Sequence, residues 1–397
     1  MLSKDKNALK GQVYLLQIFY WMSFCAISGF ATVFLLSKNV ANSQIGIIIA
    51  TGSLLSVFAQ FITGILIDKY PRFTLKKTMM LFFGLGTIIA LGVLLLANSA
   101  FWMALLYCLL IVLLFNVQPL VTAIIYDYAN QGANVSFSFS RGLGSMMYAT
   151  FSFFMGMWLE KHSTIWIPIL SALLMAILFL IMLTLPEIQE GTDSAAILDE
   201  PASLKTLHHK YPSFLYFFIG ITLIFSFHTI INVYLPQIVT HVGGGNKEIG
   251  FAIALAAFCE IPTMFGFKKL ESKFNVLVLL RISAIFFFVK ALIYLVAPSF
   301  IVIQGGQLLQ AVSFALITPA YAHYINEWMA PQDRVKGQTF MMAGITLGNV
   351  IGSLAGGWFL DHGGVSPLLI FGTGLTLIGM FILLGSLKNQ EEVLYPS

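Results

Sequence analysis

Gly64-Ile-Leu-Ile-Asp68-Lys69-Tyr70-Pro71-Arg72-Phe73-Thr74-Leu75-Lys76-Lys77 joins two apolar runs, residues 44–67 and 78–97. Each run is long enough to cross a bilayer as a helix, which takes about 20 mostly apolar residues. The joint carries four cations, Lys69, Arg72, Lys76 and Lys77, and one carboxylate, Asp68. A short loop this basic between two spans belongs on the cytoplasmic side.

The same punctuation runs outward in both directions. Charges, Pro and Gly divide the chain into twelve expected spans: 13–37, 44–67, 78–97, 100–128, 139–160, 165–185, 213–239, 247–269, 275–297, 299–325, 338–362 and 366–387. Of 397 residues, 58% are hydrophobic and 10% charged, against roughly 25% charged in soluble domains. Twelve helices would use roughly 240 residues, close to the whole apolar content. This excludes a soluble enzyme on one anchor. It also excludes disorder, and a β-barrel, whose strands alternate apolar and polar residues. The expected fold class is an all-α polytopic membrane protein. Residues 1–185 and 213–397 would form two six-helix bundles related by a pseudo-two-fold axis. The acidic stretch 186–212, PEIQEGTDSAAILDEPASLKTLHHKYP, would link them in the cytoplasm.

With the N-terminus inside, 17 of the 21 Lys and Arg fall in inner loops and tails; Lys38, Lys161 and Lys247 fall outside. That split obeys the positive-inside rule and puts both termini in the cytoplasm of a cell membrane. The first apolar run, Val13 to Leu36, is too long for a signal-peptide core and reads as a retained span. Cys25, Cys108 and Cys259 all lie within apolar runs, where thiols act as small hydrophobes. The sequence has no Gly-Lys dipeptide for a phosphate loop, no HExxH and no GxSxG. His208 and His209 are adjacent but lack companion ligands. No enzyme, metal, cofactor or nucleic-acid partner is expected. A second basic loop, Gly266 to Phe274, follows the expected eighth span as Gly64–Lys77 follows the second. Such internal repetition is typical of secondary transporters.

Gly64 to Lys77 resembles the loop motif of the major facilitator superfamily, G-x-x-x-D-R/K-x-G-R/K, with Pro71 in place of its Gly. The resemblance implies a conformational latch at Asp68, Lys69 and Arg72. Phe139-Ser-Arg141-Gly-Leu-Gly144-Ser145 is similar to a stretch of the oligosaccharide:proton symporter (lactose permease-like) branch, as is Glu260-Ile-Pro-Thr-Met264. Lys336-Gly-Gln338, followed by Gly344, Gly348, Gly352 and Gly356, resembles the same branch. The resemblance implies that Arg141 binds substrate and that Tyr148, seven residues on, offers it an aromatic face where the branch has Trp. The branch's sugar-binding carboxylate aligns with Ala123. Asp127, one turn on, either substitutes for it or is a loop acid pairing with Arg141. The branch's proton-coupling His and Glu align with Gln310 and Ser313, which carry no titratable proton.

Ionisable groups deep in a span are costly and are usually paired or functional. Glu260 is the one carboxylate so placed and Lys290 the one cation. We expect the two to pair or exchange partners and to couple an ion to transport. His228, four residues before Asn232, is read either as a proton carrier or as a satisfied buried histidine. Asn232 and Gln310 are candidate substrate contacts. Gln304, Gln307 and Gln310 recur every three residues; they line a polar cavity or pack against a neighbour. Asn116 and Gln118 are further polar candidates beside Pro119. The expected protein is a monomeric, alternating-access carrier in the lipid bilayer, taking up a sugar or oligosaccharide with protons. The alternatives are a nucleoside symporter, a proton-driven exporter of apolar compounds and a non-transporting sensor.

Overall fold

Lipid offers a backbone no water to bond, so apolar runs must satisfy their amides internally. In the computed structural model they do so as helices, with no strand among the described residues. These are residues 5–70, 72–96, 99–130, 133, 135–187 and 209–394. Most of the expected linker lies outside them, as does His208. The chain divides into two compact units, Met1–Ile197 and Leu198–Ser397.

The first unit holds α1 (Asp5–Phe24), α2 (Ala31–Ser37), α3 (Asn42–Lys69), α4 (Leu75–Leu95), α5 (Ala100–Asn130), α6 (Phe137–Leu159) and α7 (Trp166–Thr184). Between α1 and α2, residues Cys25–Gly29 form a wide π turn, closed by the Phe30 amide on the Cys25 carbonyl at 3.1 Å. The chain bends 42° there, a usual consequence of such a turn. Tyr107 on α5 donates its hydroxyl to the Ile27 carbonyl inside the turn, at 2.7 Å. α5 continues through Pro119. Proline lacks the N–H that would bond the carbonyl four residues back, and Gln60 of α3 donates to that Phe115 carbonyl instead, at 2.8 Å. Thr74 caps α4 by accepting from the Lys77 amide, and Ser136 caps α6 by accepting from Phe139.

The second unit holds α8 (Pro212–Val233), α9 (Leu235–His241), α10 (Asn246–Glu271), α11 (Val276–Val296), α12 (Phe300–Leu308), α13 (Phe314–Trp328), α14 (Pro331–His362) and α15 (Val365–Leu394). Pro212 and Pro331 open their helices, where a missing N–H costs nothing. The glycine row of α14 lies against α8. A Cβ at Gly348 would stand 2.7 Å from the Thr222 carbonyl oxygen, and one at Gly352 2.4 Å from that of Ser226. Only hydrogen fits there, and close backbone approach substitutes for the hydrophobic drive that helices in lipid lack.

Among the described residues ten helices, with 300–328 taken as one broken span, are long and apolar enough to cross a membrane; the bent α1–α2 pair makes eleven. The remaining expected span is α6. It is a 23-residue helix, but Ser138, Ser140, Arg141, Gly142, Gly144 and Ser145 crowd its start and lower its apolar content. α6 and α14 also carry a repeat that the loops only hinted at. Gly356-x-Trp358-x-x-x-His362 stands 200 residues after Gly156-x-Trp158-x-x-x-His162. In each, the imidazole stacks on the indole one turn earlier, at 3.8 and 4.7 Å, and its Nδ1 lies 2.9 Å from that Trp's carbonyl. Each ring pair closes the end of its helix.

Candidate functional site

In the first unit, Gln17, Tyr20 and Trp21 of α1 face Gln118, Val121 and Thr122 of α5 and Arg141 of α6 around a cavity of about 230 Å³. The Arg141 guanidinium lies 3.9 Å above the Trp21 ring and donates to Ser145 Oγ at 2.5 Å. An arginine stacked on an aromatic face keeps its planar fork of donors in one orientation. Trp21 is fixed in turn by its Nε1–H on Gln17 Oε1, at 2.8 Å. The Tyr20 and Thr122 hydroxyls donate to the carbonyls of Leu114 and Gln118, at 3.0 and 3.3 Å. Their oxygens are thereby oriented as acceptors. The cavity thus sets a cation and amide donors beside hydroxyl acceptors, on an aromatic floor.

Tyr148 stands at the edge of this aromatic floor, 6.4 Å from Trp21 and 6.5 Å from Phe24 between ring centres. It is not among the lining residues, and neither is Asp127, which is half-buried farther along α5. Trp21, Gln17, Tyr20 and Thr122 were not singled out from the sequence; Gln118 was. The available signal was the polar spacing of four, Gln17 to Trp21 and Gln118 to Thr122, inside otherwise apolar runs.

At the Gly64–Lys77 loop, the side chain of Asp68 lies outside the described residues. Lys69 stands 5.9 Å from the Tyr70 ring and Arg72 is exposed. The ties recorded in this loop come from its far end. Lys76 donates to the Leu185 carbonyl just past α7, and Lys77 lies 3.9 Å from Glu187. The second unit has its own end-of-helix cluster, which the sequence reading missed. Asp333 at the start of α14 accepts from Lys210 at 2.5 Å and from the Tyr211 hydroxyl at 2.9 Å, and Tyr211 accepts the Ala330 amide at 3.0 Å. The hydrogen bond to the Asp333 carboxylate raises the pKa of the Lys210 ammonium above the ordinary value.

Deep in the second unit, three residues from three elements form a chain. Lys290 of α11, fully buried, donates to Gln310 Oε1 at 2.5 Å; Gln310 Nε2 donates to Glu260 Oε1 of α10 at 2.9 Å. The expected Glu260–Lys290 partnership therefore has its recorded link through Gln310, whose amide is engaged at both ends. Gln310 itself sits on the 3-10 turn Leu309–Ala311 that interrupts span 10. Of its ladder companions, Gln307 is buried, and both amide atoms of Gln304 are buried without a recorded partner. His228 on α8 stacks on Phe314, the first residue after the interruption, with centres 4.4 Å apart. Asn232 Nδ2 donates to the His228 carbonyl at 2.7 Å and lies 3.1 Å from its Nε2. No group of three or more His, Cys, Asp or Glu among the described residues is arranged to hold a metal ion.

Residues 13–371 match the model of a family described as MFS_1 like. The chain belongs to this major facilitator family. It is a multi-pass membrane protein. Among curated relatives, this family member is 26% identical to maltose permease of Geobacillus stearothermophilus over 163 residues, 40% of this chain and 41% of that one. It is 25% identical to multidrug resistance protein 2 of Bacillus subtilis (strain 168) over 158 residues, 39% of each. The match spans about two fifths of the length of these relatives. Among solved structures, a mutant of the nucleoside transporter NupG superposes with a TM-score of 0.82 at 16% identity, covering 95% of this chain and 99% of that one. That likeness establishes the major facilitator fold.

Proposed function

We propose that this transporter is a plasma-membrane carrier with cytoplasmic termini, and that it takes up a sugar or oligosaccharide driven by protons. The observation that carries the reading is the Arg141 cavity. It offers a stacked guanidinium, two carboxamides and oriented hydroxyl oxygens within about 230 Å³. A polyhydroxylated solute presents donors and acceptors in alternation and suits that mixture. An apolar compound would strip water from the remaining donors and acceptors of these groups and replace it with nothing, at about 1–3 kcal/mol each. The partial likeness to a maltose permease agrees with this reading. The Lys290–Gln310–Glu260 chain is assigned to ion coupling, because it joins a fully buried cation to a part-buried carboxylate through one amide. Asp127, Tyr148 and Asn232 are proposed as peripheral substrate contacts, His228 as part of the coupling machinery, and Asp68 with Lys69 and Arg72 as the cytoplasmic latch.

The second reading is a nucleoside symporter, supported by the overall fold match to a nucleoside transporter and by an aromatic floor on which a base can stack. The test is external pH in a weakly buffered suspension of de-energised cells expressing the protein. Maltose, other glucosides, galactosides and nucleosides are added one at a time. Alkalinisation by a sugar, lost in Arg141→Ala and Glu260→Gln, supports the first reading; alkalinisation by nucleosides alone selects the second. Entry of labelled sugar without any pH change removes proton coupling. Entry of none of the compounds overturns uptake and moves the assignment to export; the second curated relative carries the name of a multidrug resistance protein.

A further inference from the structure

The interruption of span 10 has no ordinary breaker. Residues 309–313 read Leu-Gln-Ala-Val-Ser, with neither Pro nor Gly. Sharp irregularities in helices otherwise arise where a side chain enters the hydrogen-bond ladder or where the turn is held from outside. Both occur here. α12 ends at Leu308, the 3-10 turn follows, and Ser313 adopts φ −99°, ψ −90° before α13 begins. The amides of Val312 and Ser313 and the Ser313 hydroxyl all end on the Leu309 carbonyl, at 3.1, 2.9 and 2.7 Å. From outside, Ser283 of α11 donates to the Ser313 carbonyl at 2.8 Å. The remaining ties are the two bonds of Gln310, one to α11 and one to α10.

We propose that Gln310 is a positioning residue through which the charges of Lys290 and Glu260 control the break in span 10. A carboxamide has one accepting and one donating end. Here an ammonium takes the first and a carboxylate the second, so the opposite charges fix a single orientation of the amide. Charge-assisted bonds of this kind are roughly twice as strong as neutral ones. Neutralising Glu260 turns one of them into an ordinary bond. The turn is then held less strongly by its neighbours, and the i to i+4 ladder of a continuous helix becomes competitive. Gln310 carries no transferable proton, so it aligns the two ionisable groups without passing a proton between them. The other titratable or charged neighbours of this cluster are Cys259 beside Glu260 on α10, His228 on α8, and Tyr294 one turn from Lys290 on α11. Glu260 and Lys290 are distinguished from them by contacting Gln310. The device serves the coupling role proposed above, and its test uses no transported compound, so it fails separately from the substrate assignment.

The experiment is hydrogen–deuterium exchange of the full-length protein in lipid nanodiscs, read on peptides covering 300–328 and corrected for the intrinsic pH dependence of exchange. The pH is stepped through the range in which the carboxylate changes charge. In the wild type, exchange of amides around 309–317 should shift with pH by roughly tenfold, the difference between a charge-assisted bond and an ordinary one. Glu260→Gln should show the acid pattern at every pH. Gln310→Leu should lose the pH response while peptides from α14 and α15 exchange as in the wild type. Cys259→Ser, which leaves both bonds of Gln310 in place, should keep the response. The proposal is overturned if Glu260→Gln exchanges like the wild type at every pH. It is equally overturned if Gln310→Leu raises exchange but preserves the pH response, which is what a merely structural glutamine would do.

Discussion

Adding one methyl group at Gly144 tests how the Arg141 cavity is assembled. A Cβ on Gly144 would stand 2.3 Å from Trp21 Cδ1 and 3.0 Å from its Nε1, where ordinary contact begins at 3.4 Å. In Gly144→Ala the indole edge must therefore retreat by about 1 Å. That ring carries Arg141 on its face and holds Gln17 through Nε1, so the shift disturbs both. Overpacking of this kind costs about 1–3 kcal/mol. Loss of the stacked guanidinium adds about 0.5–2 kcal/mol at a desolvated site. The expected result is a lower unfolding midpoint in detergent, with uptake of whichever compound proves to be transported reduced roughly tenfold at limiting concentration. Trp21→Ala in the same chain removes the obstacle. The double variant should be more stable than the sum of the two single losses by about 1 kcal/mol or more. Strictly additive losses, or a Gly144→Ala protein with wild-type midpoint and uptake, would refute the account of how α1 and α6 build the site.

Gln60→Leu should cost about 1 kcal/mol by orphaning the Phe115 carbonyl, and Pro119→Ala, which restores the helix's own N–H, should shrink that cost; a double-mutant cycle on the unfolding midpoint reads both. Gly352→Val places a side chain against the Ser226 carbonyl and should leave little monodisperse protein in size-exclusion chromatography, at a cost above ~3 kcal/mol. Tyr211→Phe should lose about 1–2 kcal/mol, because its hydroxyl bonds both Asp333 and the Ala330 amide. Lys210 has its pKa raised by Asp333. Its contribution is therefore complete below the ordinary lysine value of 10.5 and fades as pH rises through the higher folded value. Asp333→Asn should flatten that alkaline fall in midpoint, measured by thermal scans across pH.

The sequence by itself determined the membrane, the helices and their approximate ends. Continuous apolar runs have one backbone solution in lipid, and charged joints such as Gly64–Lys77 mark where each run stops. It also named Arg141, Glu260, Lys290 and Gln310, because polar groups in apolar runs are conspicuous. It did not say which of them meet. Helices that are apolar nearly all round carry no stripe to report which way they are turned. Partners as far apart as Trp21 and Arg141, or Glu260, Lys290 and Gln310, are joined by helix rotation, which packing decides. Local irregularities were equally silent. The π turn at Cys25–Gly29 and the 3-10 turn at Leu309–Ala311 contain no proline, and their outside ties come from neighbouring helices, through Tyr107 in one case and Ser283, Lys290 and Glu260 in the other. Composition and punctuation fixed what crosses the membrane; close packing among glycines, and a few buried amides and charges, decided what those helices bring together.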